Sequence, residues 1–151
     1  MKIRRSAAVA GASVLGTLAL VGCNLDTKPS ALVTVVYGSE SEHTEAQCKD
    51  IEATEQALDA CFGPASDKKP KVVKVSEGGD LGVGVEPSVS DNGWKIFVGD
   101  NAGPLIEDKT FYTGFRVPLG AFDEADSLPL RVVEYKNEQI HNVWLFSLEK
   151  K

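Results

Sequence analysis

Beyond residue 71 the chain alternates apolar and polar positions with a period of two. KVVKVSE (71–77) is β-branched and alternating, and LGVGVEP (81–87) sets Leu81, Val83 and Val85 against glycines. GWKIFVG (93–99) places Trp94, Ile96 and Val98 on one face, and TFYTGFRVPL (110–119) places Phe111, Thr113, Phe115 and Val117 on one face. LPLRVVEYKN (128–137) and NVWLFSLEK (142–150) close the series, and ALVTVVYG (31–38) is an earlier member. Successive side chains of an extended chain point to opposite faces, so these runs predict strands. Turn residues separate them: Gly78-Gly79-Asp80, Asp91-Asn92-Gly93, Asp100 to Pro104, and Asp123 to Asp126. Seven such strands predict a single antiparallel β-sandwich of immunoglobulin-like type over 31–151, with Trp94 in its core. No helices are interleaved between the strands, which argues against a parallel sheet.

The last strand differs from the others. Trp144 and Phe146 share one face, Val143 and Leu145 the other, and both faces are apolar. Either the strand is buried on both sides, which is the expectation, or one face is exposed and binds something.

The pattern at the start of the chain is of another kind. MKIRR carries three basic residues and no acid, and the uncharged SAAVAGASVLGTLALVG follows. A basic start, a short apolar middle and small residues at the end describe a secretory signal. The run is shorter than the ~20 apolar residues of a spanning helix and is diluted with glycine. It ends on Leu20-Val21-Gly22-Cys23, which resembles the lipobox of bacterial lipoproteins. The resemblance implies removal of residues 1–22 and a diacylglycerol on the Cys23 sulfur, leaving 23–30 as a lipidated tether. Two acyl chains anchor stably where one is marginal. NLDTKPS then spans at most about 23 Å, so the folded part stays near the membrane, on its extracytoplasmic face.

Export changes the charge and the cysteines. Without Lys2, Arg4 and Arg5, the 16 Lys and Arg fall to 13 against 22 Asp and Glu, a net charge near −9. That argues against a nucleic-acid partner, which needs a basic footprint. It also opposes flat adhesion to an anionic bilayer. Disulfides persist outside the cytosol, and with Cys23 lipidated only Cys48 and Cys61 remain to pair. The intervening KDIEATEQALDA is made of strong helix formers. On one straight helix the two α-carbons would lie about 20 Å apart, against the roughly 4.4–6.8 Å a disulfide needs. The expectation is a bridge with a short helix inside its loop; the alternative is two buried thiols on a longer helix.

The lipobox, the early strand, the cysteine loop, GWKIFV, FYTGFRVP, LRVVEY and VWLFSL together resemble a group of actinobacterial envelope lipoproteins. The resemblance spans nearly the whole mature chain. It implies an envelope location and carries no assigned activity to transfer.

Candidate chemistry is sparse. Of the two histidines, His43 lies in ESEHTEAQC (40–48), where Glu40, Glu42, Glu45 and Cys48 add carboxylates and a thiol. Such a set offers ligands to zinc or copper, but lacks metal-ligand spacing and would lose Cys48 to a disulfide. The plainer expectation is a solvated acidic loop leading into a helix N-terminus. YGSES (37–41) lacks the second glycine of a nucleophile elbow. GGDLGVGVEP (78–87) has the wrong order for a phosphate-cradling loop. The acidic clusters at 100–108 and 123–126 lack EF-hand spacing. No catalytic residue, metal site or cofactor is assigned. The expected function is a non-catalytic envelope binding or adaptor module with a protein or glycan partner; the alternative is a small metal or redox lipoprotein using the His43 segment.

Overall fold

The structure is a computed structural model that describes residues 30–63 and 66–151. The signal segment, the expected lipidation residue Cys23 and the tether as far as residue 29 lie outside the described residues.

Two sheets pack face to face. The first has the order β2-β1-β5-β8 and is antiparallel throughout, with β1 Leu32–Tyr37, β2 Glu40–Glu45, β5 Asp80–Val85 and β8 Phe111–Arg116. The second runs β3-β10-β9-β6-β7, with β3 Cys48–Lys49, β6 Trp94–Val98, β7 Asn101–Ala102, β9 Ser127–Lys136 and β10 Gln139–Lys150. β4, Lys71–Val75, joins this sheet through the free edge of β10. All seven expected strands are present. The mainly β class and the sandwich architecture follow from their inward faces. Val33 and Val35, Leu81 and Val83, Val73 and Val75, Trp94 and Ile96, Leu130 and Val132, and Trp144 to Leu148 in alternation form one buried cluster between the sheets. The indole N–H groups find backbone acceptors, Trp94 on the Lys109 carbonyl at 3.0 Å and Trp144 on the Ala31 carbonyl at 2.9 Å, so neither buried ring carries an unpaired donor.

Four expectations are corrected. β4 and β10 pair parallel, Phe146 opposite Lys71 through Lys150 opposite Val75; the chain between them passes through the other sheet, so no helical crossover is required. The acidic ESEHTE is not a loop leading into a helix but β2, paired with β1 from Leu32–Glu45 to Tyr37–Glu40. Cross-strand pairing to a buried strand overrides the poor β propensity of its glutamates. The face assigned to β8 is half wrong. A bulge between the Leu81–Phe115 and Val83–Tyr112 pairs inserts a residue, which turns Tyr112, Phe115 and Val117 inward and leaves Phe111 half exposed. Phe111 instead lies across Gly82, where an added β-carbon would come within 2.7 Å of its ring. Finally, the strand at 81–87 ends at Val85, and a short helix α2, Pro87–Asn92, leads into β6.

Register places the ends of the molecule. The chain leaves Ser30 at the end that carries α2, the β9–β10 hairpin and β3. Gly38, Glu77 to Gly79, the 118–126 loop and Lys151 lie at the other end. There Glu77 accepts the backbone N–H of Gly120 at 3.2 Å and of Phe122 at 3.4 Å, and Lys150 approaches at 3.7 Å.

Candidate functional site

The outer face of the second sheet is covered, and the disulfide does the covering. Cys48 and Cys61 form a bridge with α-carbons 5.9 Å apart. The geometric conflict is resolved because the helix starts late. Cys48 pairs with Val143 in β3, Asp50 turns the chain at φ 47°, and only at Thr54 does a cap form, its hydroxyl accepting the Ala57 N–H at 3.3 Å. Helix α1 is thus Glu55–Phe62 rather than the whole of 49–60, with Cys61 in its last turn and Gly63 ending it. Cys48, Cys61, Val133, Val143 and Leu145 form a second buried cluster, with Phe62 and Tyr135 against it. This is why both faces of β10 are apolar: one faces the sandwich core, the other the disulfide loop. Gln47 seals the same edge, its side-chain oxygen accepting the Leu145 N–H at 2.9 Å.

Where α1 ends, the cover stops and a groove of about 330 Å³ opens. Its apolar wall is Phe62, Pro70, Pro129 and Leu145, and its hydroxyls are Ser66, Ser127 and Ser147. Among the described residues that line it, the ionisable ones are Lys68 and Arg131, both cationic. Arg131 projects outward from β9 and is partly buried. Its guanidinium sits 4.8 Å from the centre of the Phe62 ring, and one Nη donates to the Gly99 carbonyl at 2.6 Å. Its Nε is buried without a hydrogen-bond partner among the described residues. No described carboxylate lies within salt-bridge distance of it. A stacked, singly bonded guanidinium is held in a fixed orientation with much of its donor fork uncommitted.

Sequence reasoning passed over Arg131. The signal was present: in 128–137 the outward positions are Pro129, Arg131, Val133 and Tyr135, a lone charge in an otherwise apolar or aromatic row. Together with the apolar Val143 and Leu145, that row indicates a covered outer face with one cation set into it.

The other candidate positions are not brought together. Strand alternation sends Glu40 and Glu42 to one face of β2 and His43 and Glu45 to the other, and Cys48 is in the disulfide. Among the described residues no group of three or more His, Cys, Asp or Glu side chains is placed to hold a metal ion. His141 pairs instead with Asp50, Nδ1 to Oδ1 at 2.5 Å, beside a polar cleft at the Ser30 end. The one buried carboxylate among the described residues, Glu134, accepts the side-chain amides of Asn92 at 2.6 Å and Asn142 at 2.5 Å, joining α2 to the second sheet.

Fold and groove together define a disulfide-braced β-sandwich with a small cationic groove on the outside of one sheet. Comparison with protein-family models, with curated proteins and with solved structures returned no match to this chain.

Proposed function

We propose that the chain is a lipid-anchored, extracytoplasmic envelope protein whose sandwich is a non-catalytic binding module. The observation that carries the binding role is Arg131: a partly buried cation without a carboxylate partner among the described residues, fixed in a groove. Placing a charge there without a counter-ion is unfavourable for the isolated domain and favours a ligand that supplies one. The envelope location is supported by the signal and lipobox pattern ending on Cys23, and the Cys48–Cys61 bridge suits an oxidising compartment.

We also infer an immunoglobulin-like sandwich. What supports it is strand order: β1, β5 and β8 follow one another as strands A, B and E do in one sheet of that fold, and β7, β6, β9 and β10 as C′, C, F and G in the other, with Trp94 on strand C. In this correspondence β2, β3, the disulfide and α1 are an insertion between the first strand and β4.

Native mass spectrometry of the protein released gently from its own membranes tests the location. The expected mass begins at Cys23 with its acyl chains and lacks two hydrogens for the cysteine pair. An unprocessed or unacylated chain overturns the anchored reading.

A further inference from the structure

We propose that the groove between α1 and the outer face of β9 and β10 binds a small molecule that joins a carboxylate or phosphate to a compact apolar body. The inference rests on the binding-module reading and names its ligand class. Three features of the groove favour that chemistry.

The first is charge. The chain carries a net −6, yet the described ionisable residues lining the groove are Lys68 and Arg131 alone. A local reversal of sign in an acidic protein attracts anions to that spot and repels them elsewhere. The second is preorganisation. Arg131 is clamped between the Phe62 ring and the Gly99 carbonyl, so little rotamer freedom is lost when an anion docks. A planar guanidinium matches two oxygens of a carboxylate or phosphate side by side. The third is the wall. Phe62, Pro70, Pro129 and Leu145 provide apolar surface next to the cation, and Ser66, Ser127 and Ser147 provide hydroxyls. An apolar lining with a few convergent polar groups, and a volume near the lower bound of about 300 Å³ for small-molecule sites, suits a ligand of modest size. An inorganic anion would leave the apolar wall uncovered, and a neutral apolar molecule would leave the guanidinium without its counter-charge.

The position of Phe62 makes the site depend on the disulfide. Phe62 follows Cys61, and the bridge to Cys48 fixes the last turn of α1 against β10.

The test uses the full chain in nanodiscs, with empty nanodiscs as the blank, and ¹⁹F line broadening of three probes: 4-fluorophenylacetate, 4-fluorophenyl phosphate and the neutral 4-fluorobenzyl alcohol. At least one anion is expected to bind at least about tenfold more tightly than the alcohol, as loss of a charge-assisted contact implies. The two anions separate a carboxylate site from a phosphate site. Arg131→Gln is expected to remove that preference, and Lys68→Gln, at an exposed residue, to weaken anion binding without affecting folding. Equal binding of alcohol and anions would overturn the anionic ligand class while leaving a binding module standing. Absence of binding by all three probes would overturn the groove as the site. Persistence of the anion preference in both variants would overturn the roles of Arg131 and Lys68. Failure of the anchored location is read separately from the processed mass.

Discussion

Opening the Cys48–Cys61 bridge separates two contributions that the structure places in one spot. The cysteines lie 13 residues apart. In the chain-entropy account, closing a loop of that length removes enough freedom from the unfolded chain to stabilise the fold by about 3 kcal/mol. Both sulfurs are also buried against Val133, Val143 and Leu145, so their packing is a second term. Reduction with a phosphine leaves the sulfur atoms in place and removes only the cross-link. The double substitution Cys48→Ala, Cys61→Ala removes both. Urea denaturation followed by tryptophan fluorescence should show the reduced protein less stable by about 3 kcal/mol, and the double variant less stable by about a further 1–2 kcal/mol from the vacated volume. Trp94 and Trp144 lie in the main core, so the signal reports the sandwich rather than the loop. The m-value should rise on reduction because the unfolded chain becomes less compact. If oxidised and reduced proteins differ by less than about 1 kcal/mol, the bridge does not constrain the unfolded chain as supposed. The loop would then be a cover held by its contacts alone.

Glu134→Ala strips the acceptor from Asn92 and Asn142 and is expected to cost about 2–3 kcal/mol in denaturant titration, with Glu134→Gln costing less because one carbonyl remains. Asn137 and Glu138 both have positive φ, 52° and 65°, at the β9–β10 turn; Glu138→Gly relieves left-handed strain and should stabilise by about 0.5–1 kcal/mol in the same assay. Glu77 is held below the usual carboxylate range, chiefly by the Gly120 N–H, with Phe122 and Lys150 adding to the effect. A depressed folded-state value stabilises above the unfolded value and is lost as pH falls through the folded one. Hydrogen exchange at Gly120 and Phe122 should therefore speed up, beyond the intrinsic pH trend, below about pH 4.5, and Glu77→Gln should abolish that pH dependence.

The strands were legible because their apolar residues carry their own alternation. Val33 and Val35, Trp94 and Ile96, and Leu130 and Val132 each sit where period two puts them. What escaped was decided by neighbours distant in sequence. β2 has few strand-forming residues and exists because β1 offers it a ladder. The β8 bulge depends on pairing with β5, and no residue in FYTGFR announces it. The bridge and a short helix beside it were expected, but the start of α1 at Glu55 follows from β3 seizing Cys48 and Lys49 for the edge of β10, which propensity within 49–60 cannot foresee. The groove was hidden for the same reason. Arg131 and Phe62 are 69 positions apart, and their stacking exists only once the disulfide has laid α1 on the sheet.

The placement of Ser30 and Lys151 at opposite ends of the sandwich has a mechanical consequence. Tension between those two points pulls β1 along its own axis against β2 and β5, and β10 along its axis against β9 and β4. The hydrogen bonds of each ladder then bear load side by side and must fail together, whereas a strand peeled from its edge yields one bond at a time. A domain held at the Ser30 side and pulled from the Lys151 side therefore meets the load in shear. The Cys48–Cys61 bridge limits how much chain between β1 and β4 can be drawn out before β4 itself is strained.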